Sequence, residues 1–129
     1  QTLGSGTDLS IMATGLMVWN AVEAAKQLEA QGISCDVISI PTIKPLDEAA
    51  IVASLARTGC AVTVEEHQIN GGLGDAVAHV AAKNTACPME FIGVNDSFGE
   101  SGKPMDLLKK YGLDVPDIVN AALKVIKRK

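Results

Sequence analysis

The sequence predicts an α/β fold of three layers, with helices on both faces of a mostly parallel sheet of four to five strands. Four short β-branched runs, at 9–14 (LSIMAT), 35–40 (CDVISI), 60–65 (CAVTVE) and 89–94 (MEFIGV), alternate with segments of helical period. The connections are too long for hairpins, so parallel pairing through right-handed crossovers is the natural solution. The first, second and fourth runs are apolar on both faces or nearly so, as strands covered on both sides are.

The elements follow in order. Residues 1–8 (QTLGSGTD) could add a short edge strand, although their glycines weaken the pattern. Over 16–31, Val18, Ala21, Val22, Ala25 and Leu28 form an apolar stripe while Asn20, Glu23, Lys26 and Gln27 face away, and Gly32 supplies a left-handed stop. Trp19 stands at a position that is usually core; exposed, it would mark an interface. A second helix starts after Asp47, whose carboxylate can accept first-turn amides, and runs through Ile51 and Leu55 to Gly59. A third covers about 74–84, with Val77, Val80 and Ala81 inward. Beyond a polar loop (NDSFGESGK), Pro104 opens a fourth helix that holds Leu107 and Leu108 and ends at Gly112. Asp114 then caps a last helix with Ile118, Ala122 and Val125 as its stripe and Asp117 placed like the acid of a capping box.

The chain has 129 residues, 47% of them apolar and 20% charged, which fits one ordinary globular domain over residues 1–129. Aromatic residues are 3% and the net charge is −4, so neither stacking platforms nor charge favour a nucleic-acid partner. The one basic cluster, Lys124, Lys127, Arg128 and Lys129, lies at the end of a helical pattern, where cations complement the exposed carbonyls. Cys35, Cys60 and Cys87 are odd in number and widely spaced, and they read as reduced core thiols of a cytoplasmic protein. No apolar segment approaches the roughly 18 residues of a membrane span, and no signal peptide is present. The chain begins at Gln1, so it reads as a piece of something longer.

Chemistry concentrates at 63–77 (TVEEHQINGGLGDAV), which would lie at the carboxyl end of the sheet, where open α/β sheets gather ligands. Gly71, Gly72 and Gly74 precede a helix whose free amides could hold an anion. The third glycine of a dinucleotide fingerprint is missing, and Asp75 puts negative charge where a pyrophosphate would rest. Glu65 and Glu66 point to opposite faces of a continuing strand, so they are not paired acids; one is expected to cap backbone or meet a cation. His67, at the strand mouth, is the better candidate for chemistry, yet a structural hydrogen bond competes with catalysis there. His79 reads as a surface residue, and no His or Cys spacing supports a metal. Lys103, in SGKP (101–104), lacks the frame of a phosphate loop, because Pro104 replaces the needed hydroxyl residue.

KPLD (44–47), TVEEHQINGGLGDAV (63–77) and SGKPMDLLKKYGLD (101–114), in that order and spacing, resemble the C-terminal domain of transketolase. The resemblance covers nearly the whole chain, and reaches more distantly to deoxyxylulose phosphate synthase and the β subunit of 2-oxo acid dehydrogenases. Glu65, Glu66, His67, Gly71, Gly72 and Gly74 match the family's glycine turn, and Ser101, Gly102, Lys103 and Pro104 its later loop. It implies an enzyme that moves a two-carbon ketol unit between sugar phosphates using thiamine diphosphate and a divalent metal, both bound by other domains. This segment is then a non-catalytic domain with no cofactor of its own, supporting assembly with those catalytic domains in a homodimer. The alternative is a regulatory module binding a phosphorylated metabolite at 71–74, with His67 as donor and Lys103 as counter-charge.

Overall fold

A computed structural model describes residues 6–15, 17–40, 46–68, 72–94 and 115–129; at 66–68 and 94 the description is of backbone alone. Of the edge strand suggested over 1–8, residues 6–8 are described and belong to no strand. Residues 1–5, Lys44 and Pro45, Gly71, the loop holding Ser101, Gly102 and Lys103, the fourth helix from Pro104 through Tyr111, and Asp114 lie outside the described residues.

The described elements are β1 (Leu9–Ala13), α1 (Met17–Ala30), β2 (Cys35–Ser39), α2 (Glu48–Thr58), β3 (Ala61–Gln68), α3 (Leu73–Lys83), β4 (Met89–Val94) and α4 (Val115–Lys127). The four strands form one sheet in the order β2-β1-β3-β4, every pair parallel, with Ile11 opposite both Val37 and Val62. From β1 the chain steps one way to β2, then crosses back over β1 to β3. Connections of one hand running in opposite directions put their helices on opposite faces. Accordingly α1 and α4 bury Leu9, Ile11, Val37, Val62 and Val64 on one face. On the other, α2 and α3 cover Met12, Ile38, Ala61 and Met89. The three layers and the parallel sheet are those the sequence predicts.

Helix ends follow from local chemistry. Asp47 Oδ1 accepts the Ala50 amide at 3.1 Å. Gly59 (φ 77°) returns its amide to the Leu55 carbonyl, closing α2 in the left-handed conformation that costs a side chain most. In α4, Ile118, Val119, Ala122 and Val125 are buried against α1 and the sheet. Each of the larger ones contributes about 1.5–3 kcal/mol relative to exposure.

Two expectations need correction. Asn20, assigned to the outer face of α1, is buried at 9% exposure, while Val18 and Val22 are only partly buried. The true stripe is Met17, Asn20, Ala21, Ala24, Ala25 and Leu28, because α4 packs beside α1 and turns it toward the small alanines. That rotation carries Trp19 outward, to 73% exposure. The third strand also runs beyond Glu65 to Gln68, with an irregularity between Val64 and Gln68, where pairing with β4 resumes at Val94.

The acid-closed turn between β3 and α3

β3 delivers Glu65 to the carboxyl end of the sheet, on the face that α3 covers, and leaves it 4% exposed. Its two carboxylate oxygens are used separately. Oε1 accepts the Leu73 amide and Oε2 the Gly74 amide, each at 2.9 Å. The first-turn donors of a helix have no partners within it, and here an acid from the preceding strand supplies them while its charge meets the positive end of the helix. Gly72, the residue before α3, is extended and offers no side chain for capping.

Gly74 permits the approach. A Cβ there would lie 2.6 Å from Phe91 Cδ1 and 3.2 Å from Thr63 Oγ1, so a side chain would require the Phe91 ring or α3 to shift. Thr63 is fully buried beneath this contact, and its Oγ1 has no hydrogen-bond partner among the described residues. Of the residues singled out in the sequence, the structure therefore brings together Glu65, Gly72 and Gly74. Asp75 is exposed on the first turn, and the amides it seemed placed to guard are held by Glu65 instead. The backbone of Glu66 and His67 continues β3, and His79 is exposed on α3.

A second polar group, which sequence reasoning missed, lies at the opposite, amino end of the sheet. Asp36 is fully buried on β2, and its Oδ2 accepts from Ser54 Oγ (2.5 Å) and from Arg57 Nη2. Ser54 Oγ in turn lies 2.6 Å from Ser10 Oγ, which is 2.6 Å from Thr58 Oγ1. The available signal was an acid inside an apolar strand run together with Ser54, Arg57 and Thr58 on neighbouring turns of α2.

The three cysteines are free thiols. Burial pushes Cys35 up to about 12, helped by the negative charges of Glu29 and Asp8. Burial also raises Cys60, opposed by Lys129, and raises Cys87. A thiol held neutral in the fold but ionising near 9 when unfolded contributes stability that is whole below pH ~9 and is lost as pH climbs toward 12. The urea midpoint should accordingly fall between about pH 9 and 11, and less steeply in Cys35→Val. Equal slopes in the two proteins would remove Cys35 as the cause.

Among the described residues no group of three or more His, Cys, Asp or Glu side chains could hold a metal ion, and no helix is long and apolar enough to cross a membrane. Among the described residues of the turn, the Leu73 and Gly74 amides already donate to Glu65, which places a carboxylate where an anion would have to approach them.

Fold and site together define a doubly wound, parallel α/β domain in which the start of α3 is capped by an acid from β3. The chain belongs to the transketolase C-terminal domain family, whose model matches residues 1–118. It is 43% identical over 127 residues to the 6-deoxy-6-sulfo-D-fructose transketolase subunit SqwH of Clostridium sp. (strain MSTE9), covering 98% of this chain and 39% of that protein. It is 38% identical to an apulose-4-phosphate transketolase subunit of Phocaeicola vulgatus, covering 98% and 40%. A solved split-gene transketolase, described as an inactive beta4 tetramer, superposes with a TM-score of 0.93 at 46% identity, covering 98% of this chain and 42% of that one. The chain thus spans about two fifths of the length of these relatives.

Proposed function

We propose that residues 1–129 act as a single C-terminal, non-catalytic domain of a thiamine-diphosphate-dependent transketolase of the cytoplasm, supporting its assembly and dimerisation. The catalytic thiamine-binding domains are its partners, in the same chain or a companion subunit; they hold the thiamine diphosphate and divalent metal and carry out two-carbon ketol transfer between sugar phosphates. The observation that carries this reading is the Glu65 seat. A helix start whose first-turn amides are taken by the domain's own carboxylate suits a structural role better than a phosphorylated ligand. Membership of the transketolase family, and relatives that are themselves transketolase subunits, support it further.

The test has two parts. Calorimetric titration of thiamine diphosphate with magnesium into the 129-residue chain should give no binding, and the chain alone should transfer no ketol unit. Mixed with the catalytic domains of its own enzyme, it should co-elute with them and raise or sustain their activity. Saturable binding of thiamine diphosphate or of a sugar phosphate to the chain alone, or failure to associate with those domains, would overturn the reading.

A further inference from the structure

Residues 6–8 belong to no strand or helix, yet four separate parts of the fold converge on them. From the connection before β2, Ser34 is bonded several times over. Its Oγ accepts the Thr7 amide (2.8 Å), its carbonyl accepts the Asp8 amide (3.0 Å), and its own amide donates to Asp8 Oδ2 (2.8 Å). From just before β3, Cys60 Sγ donates to the Asp8 carbonyl at 3.3 Å, and from beyond α4, Lys129 Nζ donates to the same oxygen at 2.9 Å. From α2, Arg57 Nε donates to the Gly6 carbonyl at 3.2 Å. At Gly6 the fit is backbone against backbone, for a Cβ would lie 2.3 Å from the Cys35 nitrogen and 2.4 Å from the Ser34 carbonyl carbon. Segments leading into a first strand ordinarily fray unless something ties them down.

We propose that residues 6–8 are a locked strap that fixes where the polypeptide ahead of β1 joins the domain, and that Arg57 is its lock. One edge of the guanidinium is held by Asp36, a fully buried carboxylate that also accepts from Ser54, while Nε reaches out to the strap. Gly6 is therefore held at the amino end of the sheet, the end away from Glu65. The direction of that junction is set inside this domain. The strap stands whether or not the accessory role proposed above holds, since it concerns only contacts within the chain.

Native-state amide exchange followed by NMR on the 129-residue chain tests it. Thr7 and Asp8 should exchange about 100-fold or more slower than freely exposed amides, in the range of the β1 amides. Arg57→Lys keeps a cation beside Asp36 but removes the Nε donor, so exchange at Thr7 and Asp8 should accelerate about tenfold while Val62 and Val64 change less than about twofold. Gly6→Ala should give the same pattern without touching the ion pair. Unprotected Thr7 and Asp8 in the wild type, unchanged exchange in Arg57→Lys, or equal acceleration at Val62 and Val64 in both variants would each overturn the proposal.

Discussion

Glu65→Ala should lower the stability of the chain by about 3 kcal/mol, which for a domain of this size is a melting-temperature loss of roughly 10 °C. Two buried amides lose a charged acceptor at once, and hydrogen bonds to charged groups contribute about 1.5–3 kcal/mol each. The positive end of α3 also loses its countercharge, a further fraction of a kcal/mol. Water entering the vacated space offsets part of the sum, which keeps the expected loss near the value of one strong bond. Glu65→Gln should cost about half as much, because one carbonyl oxygen still accepts while the NH₂ group confronts the second amide. The seat's character gives a sharper check: phosphate at tens of millimolar should raise the melting temperature of Glu65→Ala more than that of the wild type. Urea and thermal unfolding measure all three. If both variants stay within about 0.5 kcal/mol of wild type, the acid does not hold this helix.

How much of this was legible beforehand depends on the kind of signal. Strands and helices appear in the sequence because burial repeats along an element, and the capping of α2 between Asp47 and Gly59 is read from neighbouring residues. Contacts between elements leave no such mark. The sequence allowed that Glu65 or Glu66 caps backbone, but not which helix receives it, since the bonded amides lie eight and nine residues later across a glycine turn. For the same reason β3 seemed to stop at its acids: a buried acid looks like the end of a strand until its partners are known. Asn20 was misplaced because polarity was taken for exposure, whereas α4 set the inward face of α1. Gly74 is recognisable as a turn glycine, but its closeness to Phe91 and Thr63 joins three elements and leaves no local mark. Asp36 was hidden by its apolar neighbours.

That hidden acid carries the other large expected effect. Arg57→Met keeps most of the apolar stem of the side chain but removes the only cation paired with Asp36 among the described residues, leaving a fully buried carboxylate supported by the Ser54 hydroxyl. Breaking a wholly buried pair costs about 3–5 kcal/mol, chiefly from the stranded charge. Here the arginine side chain is 40% exposed, so water reaches one side of the pair and the expected loss is about 2–3 kcal/mol. Asp36→Asn should cost less, about 1 kcal/mol, because an uncharged amide can still accept from Ser54 and the freed guanidinium can turn to water. The double variant should then resemble Asp36→Asn alone, since a methionine beside a neutral amide strands nothing. A double-mutant cycle by urea denaturation should therefore show a coupling of about 1.5 kcal/mol or more. Losses that simply add would mean that Asp36 and Arg57 do not depend on each other for charge balance, and the arginine would then act through its packing and its bond to the Gly6 carbonyl.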